Sequence, residues 1–194
     1  IFTLLVDMMG TANIFIVLAL TGIVALILGM GMPTTAVYVV VALTLAPALA
    51  KLGISALAAH MFVFYYAMLS MITPPVCIAS FAGAALAGAS PMRTGYASMR
   101  LGIIAYLVPF IFVFDPLLLF QGPGHLVFLA AATAFAGTVI IGMAMVGYFV
   151  RPIGWILRIV LAASGIGLLI PPGGAIAYSW LANAIGAAVA ALFV

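Results

Sequence analysis

Polar residues are so sparse along this chain that its pattern is set by where the apolar runs stop, not by alternation within them. No period-two alternation is sustained, so each long run predicts a helix and the chain reads as all-helical. Residues 1–12 predict the end of an upstream helix or a linker, turning near Gly10. Asn13 is placed to cap the next helix, which runs to about Leu28. The stretch Gly29-Met30-Gly31-Met32-Pro33-Thr34-Thr35 then interrupts the run, and residues 36–50 predict a second apolar helix. Each arm falls short of the roughly 20 residues that cross a bilayer. Two short arms around a Gly/Pro tip predict a re-entrant helical hairpin over residues 13–50 that enters and leaves by the same side; the alternative is one long kinked helix.

Beyond the surface turn Lys51-Leu52-Gly53, residues 51–88 predict a broken transmembrane helix. It begins at 56–72, unwinds at Thr73-Pro74-Pro75-Val76 and resumes at 77–88. Residues 89–125 predict a polar loop at 89–100 with Arg93 and Arg100, a crossing at 101–114 ending at Asp115-Pro116, and a loop at 115–125. Residues 126–194 predict additional C-terminal transmembrane helices: 126–149, ended by Arg151-Pro152, then 154–170, a break at Pro171-Pro172-Gly173-Gly174, and 175–193.

Composition turns these runs into membrane segments. Of 194 residues, 69% are hydrophobic and 4% charged, whereas a soluble domain carries about a quarter charged residues. The fold class expected is an all-α integral membrane protein, a polytopic helical bundle. A net charge of +3, scattered along the chain, gives no footing for nucleic acid. Its use is topological, because Lys and Arg favour the cytoplasmic side. Arg93 and Arg100 share one face with Arg151 and Arg158, two crossings away, which makes that face cytoplasmic and sets Lys51 and the 115–125 loop outside. The chain begins at Ile1 inside an apolar run, with no signal peptide evident, and so reads as the C-terminal piece of a longer polypeptide. A lone Cys77 rules out an intrachain disulfide and a Cys-rich metal site.

The two breaks carry the candidate chemistry. Lipid tolerates open backbone only where protein buries it or an aqueous cavity meets it. Pro74 and Pro75 lack N–H groups, so carbonyls one turn upstream, near Ser70 and Met71, lose their helical partners. Such carbonyls, with the Thr73 hydroxyl, suit a hard cation such as Na⁺. At the other break Gly29 and Gly31 allow tight turns. Thr34 and Thr35 are placed to cap the second arm and offer oxygens, and its positive N-terminal end favours an anion. A single such break more often marks a mere kink. Two, closely spaced and carrying hydroxyls, favour a site. No carboxylate lies near either, which argues against a proton relay or a carboxylate-clamped metal.

Other residues read as structural. His60 and His125 sit near membrane surfaces, where hydrogen bonding outweighs proton coupling. Asp7 and Asp115 lie at helix ends, suited to capping or solvation. Cys77 suits a small core position, and Tyr65, Tyr66 and Tyr106 suit packing or a substrate path. Ala182, Gly186 and Ala190, at four-residue spacing, suit close helix contact, with Asn183 placed to bridge helices. No Ser/His/Asp set, paired carboxylates or phosphate loop is evident, so no enzyme is expected.

The motifs Gly29–Thr35, Leu45-Ala46-Pro47, Lys51-Leu52-Gly53-Ile54, Thr73–Val76 and Ala82-Gly83 to Ala87-Gly88 resemble, in order and spacing, the second half of the large permease subunit of TRAP transporters (tripartite ATP-independent periplasmic transporters). The match covers roughly residues 1–115. Many stand-alone large subunits have Asp where this chain has Pro33, and Gly-Met-Gly-Met-Pro-Thr-Thr looks like the fused small-plus-large permeases. The tail, with Leu119-Phe120-Gln121-Gly122, Arg151-Pro152 and Ile170-Pro171-Pro172-Gly173, resembles the extra helices of that fused group. The departure at position 33 carries over no role for a tip Asp.

The resemblance implies half of an elevator-type transporter of the bacterial inner membrane, the other half lying upstream of Ile1. It implies Na⁺ sites between hairpin tip and broken helix, mapping onto Gly29, Gly31, Thr34, Thr35, Thr73 and Pro74, with Thr34, Thr35 and Ser70 as candidates for substrate. It implies Na⁺-coupled uptake of an organic acid, such as a dicarboxylate or keto acid, delivered by a periplasmic binding protein, in the fused group often of the TAXI type. No cofactor beyond the coupling ion is implied. The alternatives are a proton-coupled carrier using His60 and a non-transporting membrane anchor or scaffold subunit.

Overall fold

The computed structural model describes residues 13–173 and 179–193, and the expectations for residues 1–12, Asp7 among them, lie outside these. The chain divides into two compact units, 1–113 and 114–194. In the first unit, α1 (Ile14–Gly29) starts at Asn13, whose side-chain oxygen accepts from Phe15 N at 3.0 Å. Its tip leads into α2 (Thr34–Thr44) and α3 (Ala46–Lys51). Pro47 lacks the amide that would bond Leu43 O, and the ladder divides there, although Leu45 between the two pieces keeps helical backbone angles.

The next helix, α4 (Ala56–Leu69), is capped by Ser55 and lies between the two arms. Gly22 and Gly29 of α1 meet Tyr66 and Ser70 of α4, so both helices advance in the same direction. Tyr38 of α2 meets His60 and Phe64, and α3 turns directly into α4 through Leu52–Ser55, so the second arm runs back against it. The arms are therefore antiparallel and form a helical hairpin around α4. Counted together, residues Thr34–Lys51 make an 18-residue apolar run, long enough to cross a membrane by length and composition, so the second arm is longer than the sequence pattern implied.

After the break, α5 (Ile78–Ala87) ends at Gly88 in the left-handed conformation. The polar loop expected at 89–100 is instead a helix, α6 (Pro91–Leu101), joined at Gly102 to α7 (Ile103–Phe114). Pro91 stands in its first turn, where a missing amide costs nothing. Its polar residues fall on one face, with Arg93, Tyr96 and Arg100 exposed and Gly95 buried. Residues Pro91–Phe114 form a second run long and apolar enough to cross.

Asp115 stands at the start of the second unit. Its carboxylate is buried rather than solvated, and it accepts from Leu117 N at 3.0 Å to start a 3₁₀ turn over Pro116–Leu119. The third long apolar helix, α8 (Gly124–Val146), stops at Gly147. The helix expected to reach 149 gives way to a minimal antiparallel ribbon, β1 (Tyr148–Phe149) and β2 (Arg151–Pro152). Arg158, in the first turn of α9 (Trp155–Leu169), closes the end of α8: Nε donates to Ala144 O at 2.7 Å and Nη2 to Met145 O at 2.9 Å. A cation on terminal carbonyls is favoured by the helix dipole.

Helices α8, α9 and α10 (Ser179–Phe193) pack through backbone. A Cβ on Gly137 would lie 2.7 Å from Gly165 O, and one on Gly186 would lie 2.7 Å from Ser164 O. Ser164 Oγ donates to Gly186 O at 2.6 Å, and Asn183 Nδ2 donates to Ile170 O at 2.5 Å, so Asn183 does tie α10 to the end of α9. Ala182 and Gly186 make the close contacts expected of their spacing, with Ala182 O 2.9 Å from a Cβ built on Gly167; the side chain of Ala190 lies outside the described set.

A backbone crossing of this kind leaves no room for a methyl group. Gly137→Ala is expected to destabilise the protein by about 1–3 kcal/mol through overpacking. Gly142→Ala, where an added Cβ meets nothing within 4 Å, gains helix propensity instead. Thermal unfolding of the two variants checks this, and equal midpoints would show that α8 and α9 do not depend on the crossing.

Candidate functional site

The two interruptions predicted from sequence meet in the fold. At the end of α1, Gly29 is buried, and a Cβ built on it would lie 2.6 Å from Ser70 Oγ and 2.7 Å from Ala67 O. Only a residue without a side chain lets the hairpin tip rest on the last turn of α4. Gly31 follows with φ +83° and open space around it, so its role is the turn itself.

The break spans residues 70–77, where the chain leaves α4 and re-enters helix as α5, with a cis Pro74–Pro75 bond. Pro74 and Pro75 cannot supply the amides that a continuing helix would give to Ser70 O and Met71 O. Met71 O nevertheless has a partner, since Ala79 N reaches back across the break at 3.1 Å, and Thr73 O accepts from Cys77 N at 3.3 Å. Of the two carbonyls expected to be released, the one at Met71 is therefore engaged.

Thr73 is held from two sides. Its hydroxyl donates to Leu69 O at 2.5 Å and also bonds Tyr106 Oη at 2.5 Å. Because its proton goes to a carbonyl, Tyr106 of α7 must be the donor in the second bond. Tyr66 Oη donates in turn to Tyr106 O at 2.9 Å. Thr73 Oγ1, having two lone pairs, keeps one for a further partner. Ser70 Oγ donates to Ala67 O at 2.6 Å. Ser80, in the first turn of α5, has a buried hydroxyl with no hydrogen-bond partner among the described residues.

Helix α6 lies across the break. A Cβ on Gly95 would meet Cys77 Sγ at 2.7 Å and Pro74 Cγ at 3.3 Å, and one on Gly102 would meet Ile72 Cδ1 at 2.9 Å. Gly95 and Gly102 are seven residues apart, two helical turns, as are Arg93 and Arg100 on the other face. That doubled spacing was readable in the sequence, but in a stretch taken for a loop. Tyr106 bonding to Thr73 left no sequence signal, since thirty-three residues separate the pair.

Thr34 and Thr35 stand exposed in the first turn of α2. Pro33 occupies the N-cap without a side-chain bond, so neither threonine caps the arm as expected. Both sit where the first amides of a helix have no intrahelical partner. No hydrogen bond joins them to α4 among the described residues. The structure thus brings Gly29, Ser70, Thr73 and Pro74 into one neighbourhood, with Gly31, Thr34 and Thr35 following along the tip. His60 lies apart, its Nδ1 3.2 Å from Tyr38 Oη. Among the described residues no group of three His, Cys, Asp or Glu side chains is disposed to hold a metal.

The tip contact sets a steric test. Gly29→Ala places a methyl against the Ala67 carbonyl and is expected to cost about 1–3 kcal/mol. Gly83→Ala, on an open position of α5, is expected to leave the thermal midpoint at or above that of the parent. A Gly29→Ala protein as stable as the parent would mean the tip does not rest on α4.

No curated protein and no solved structure matches this chain. The family model of the tripartite ATP-independent periplasmic transporter, DctM component, matches residues 1–123, which include the hairpin, the broken helix and α6–α7. The match covers well over half of the chain, and it holds every residue that the fold gathers at the two breaks. With three long apolar helical runs among the described residues, this is a membrane protein, and it belongs to the DctM component family of the tripartite ATP-independent periplasmic transporters.

Proposed function

We propose that this chain forms the Na⁺-coupled half-site of a secondary transporter that takes up an organic acid. The observation that carries the reading is the seating of the hairpin tip, at Gly29, on the end of α4 beside the break. Two interrupted segments, each exposing backbone, converge at one point.

The chemistry follows from what is absent as well as present. Between Asn13 and Met92 the chain has no carboxylate, and its one charged side chain is Lys51 at a turn. An organic anion entering such a region finds no fixed charge to balance it, and burying an unpaired charge in low dielectric is costly. A cation carried alongside removes that cost. The spare lone pair of Thr73 Oγ1 and the carbonyl of Ser70, whose helical amide Pro74 deletes, are oxygen donors suited to Na⁺. The open amides at the start of α2, by Thr34 and Thr35, suit the carboxylate of the substrate.

In this reading the hairpin is re-entrant, and its tip closes over ion and substrate. Closure is favourable with both ligands or with neither, and that difference in affinity between states couples the two fluxes. The closed domain then moves as an elevator against a scaffold. Arg93, Arg100, Arg151 and Arg158 assign their ends of the helices to the cytoplasm, in a bacterial inner membrane. A periplasmic binding protein, of the TAXI type if the chain is of the fused kind, delivers the acid from the other side. The substrate class is a dicarboxylate or keto acid, and the first half of the site comes from upstream of Ile1.

Thr73→Val removes the oxygen and keeps the shape. It is expected to weaken apparent Na⁺ affinity about ten-fold, the equivalent of about 1.4 kcal/mol, while Thr73→Ser keeps most of it. The readout is the thermal midpoint of the intact permease in Na⁺ against K⁺ at matched ionic strength, since a ligand of the folded state raises it. A Na⁺-specific rise that persists unchanged in Thr73→Val sinks the assignment of this residue. Uptake driven by pH and indifferent to Na⁺ sinks the coupling.

A further inference from the structure

We propose that the turn between α8 and α9, residues 147–154, holds the headgroup of an anionic phospholipid. The site lies in the second unit, in residues that take no part in the proposed ion and substrate site.

Its position comes first. At 1.5 Å per residue the 23 residues of α8 span about 34 Å, the thickness of a bilayer's hydrocarbon core and a little more. The turn at its end therefore falls at the level of the lipid headgroups. Here the chain exposes large apolar and aromatic side chains: Tyr148 at 56%, Val150 at 82% and Trp155 at 72%. In water such a cluster is a liability, whereas at a membrane surface Tyr and Trp are at home.

Its shape comes second. The ribbon is fixed by Ile153 N to Gly147 O at 2.9 Å and by Tyr148 Oη to Val150 O at 3.2 Å. Behind it lies a cavity of about 360 Å³, walled by Phe149, Val150 and Pro152 of the ribbon and by Met143 and Leu157 of the two helices. Arg151 is the charged group in that wall. A chamber of mixed polar and apolar lining, with apolar side chains on several sides and a guanidinium in its wall, matches a phosphodiester with the first carbons of its acyl chains. It does not match a free phosphate, which gains nothing from the apolar walls.

Its charge comes third. Arg158 stands on the other side of the turn, two of its N–H donors engaged by the end of α8, and adds positive potential beside the cavity. The carboxylate of the second unit, Asp115, lies at the opposite end of α8, and residues 116–194 contain no other. No carboxylate at the turn balances Arg151, so the ligand that completes it carries net negative charge: phosphatidylglycerol or cardiolipin, not phosphatidylcholine.

Native mass spectrometry of the intact permease, delipidated and then titrated with phosphatidylglycerol or phosphatidylcholine, tests this. The parent is expected to retain phosphatidylglycerol in preference, and Arg151→Gln to weaken that retention about five-fold, the worth of one arginine at an anionic surface. Arg93→Gln, exposed on α6, is expected to leave it unchanged, and Arg151→Lys to keep most of it. Equal retention of the two lipids overturns the proposal, as does an equal loss in Arg93→Gln, which would mark only diffuse surface charge. Displacement by glycerol phosphate overturns it in favour of a soluble anion. Arg151 is exposed, so the lipid-free thermal midpoint of Arg151→Gln should equal that of the parent, and this separates lost binding from lost fold.

Discussion

Every backbone amide and carbonyl inside a membrane needs a partner, and the prolines of the break remove two amides where none can be spared. The organisation of the first unit answers part of that deficit. Ala79 N reaches back over eight residues to the carbonyl of Met71, and this turns the start of α5 against the end of α4. The Thr73 hydroxyl takes the carbonyl of Leu69, and Tyr106 takes the hydroxyl. Through that chain of bonds a local loss of helix is tied to a residue far along the sequence, and α7 is committed to the break.

Small residues supply the second condition. Lipid tails are as apolar as leucine, so helices gain little from hiding apolar surface and associate instead by close fit. Gly29 on Ser70, Gly95 on Cys77 and Gly137 on Gly165 each bring backbone within reach of a neighbouring helix. Large side chains point away: Phe128 and Phe135 on α8 are more than 70% exposed, as expected where the surrounding medium is itself apolar. The second unit follows the same rule with a different closure, since Arg158 satisfies the end of α8.

Most of the helical plan was legible because it depends on breakers and caps that act within a few residues. Asn13 capping α1, the end of that helix at Gly29 and an interruption at the prolines follow from local chemistry, although α4 stops at Leu69, three residues short of the expected 72. What was not legible depends on tertiary partners. Arg93 and Arg100 gave residues 89–100 a polar look, and the helix there forms because its glycine face has the break to lie against. Pro33 displaced the threonines from the cap, since a fixed φ suits the residue leading into a helix. At the site, Gly29, Thr73 and Pro74 announced themselves as breakers and hydroxyls. Tyr106 did not, because nothing in a tyrosine says which hydroxyl it will meet.

The lack of fixed charge between Asn13 and Met92 has an electrical consequence. A carrier with a carboxylate in its site drags that charge through the membrane field whenever it resets without cargo. In the cycle proposed here this half of the site is neutral when unloaded, so it gives the voltage no charge to work on during the return. Each elementary charge moved across 100 mV corresponds to about 2.3 kcal/mol. Within this half of the site that work falls on the loaded step, with a sign set by how many Na⁺ ions exceed the negative charges of the acid. Residues 13–92, Lys51 at its turn aside, would then contribute no gating charge of their own.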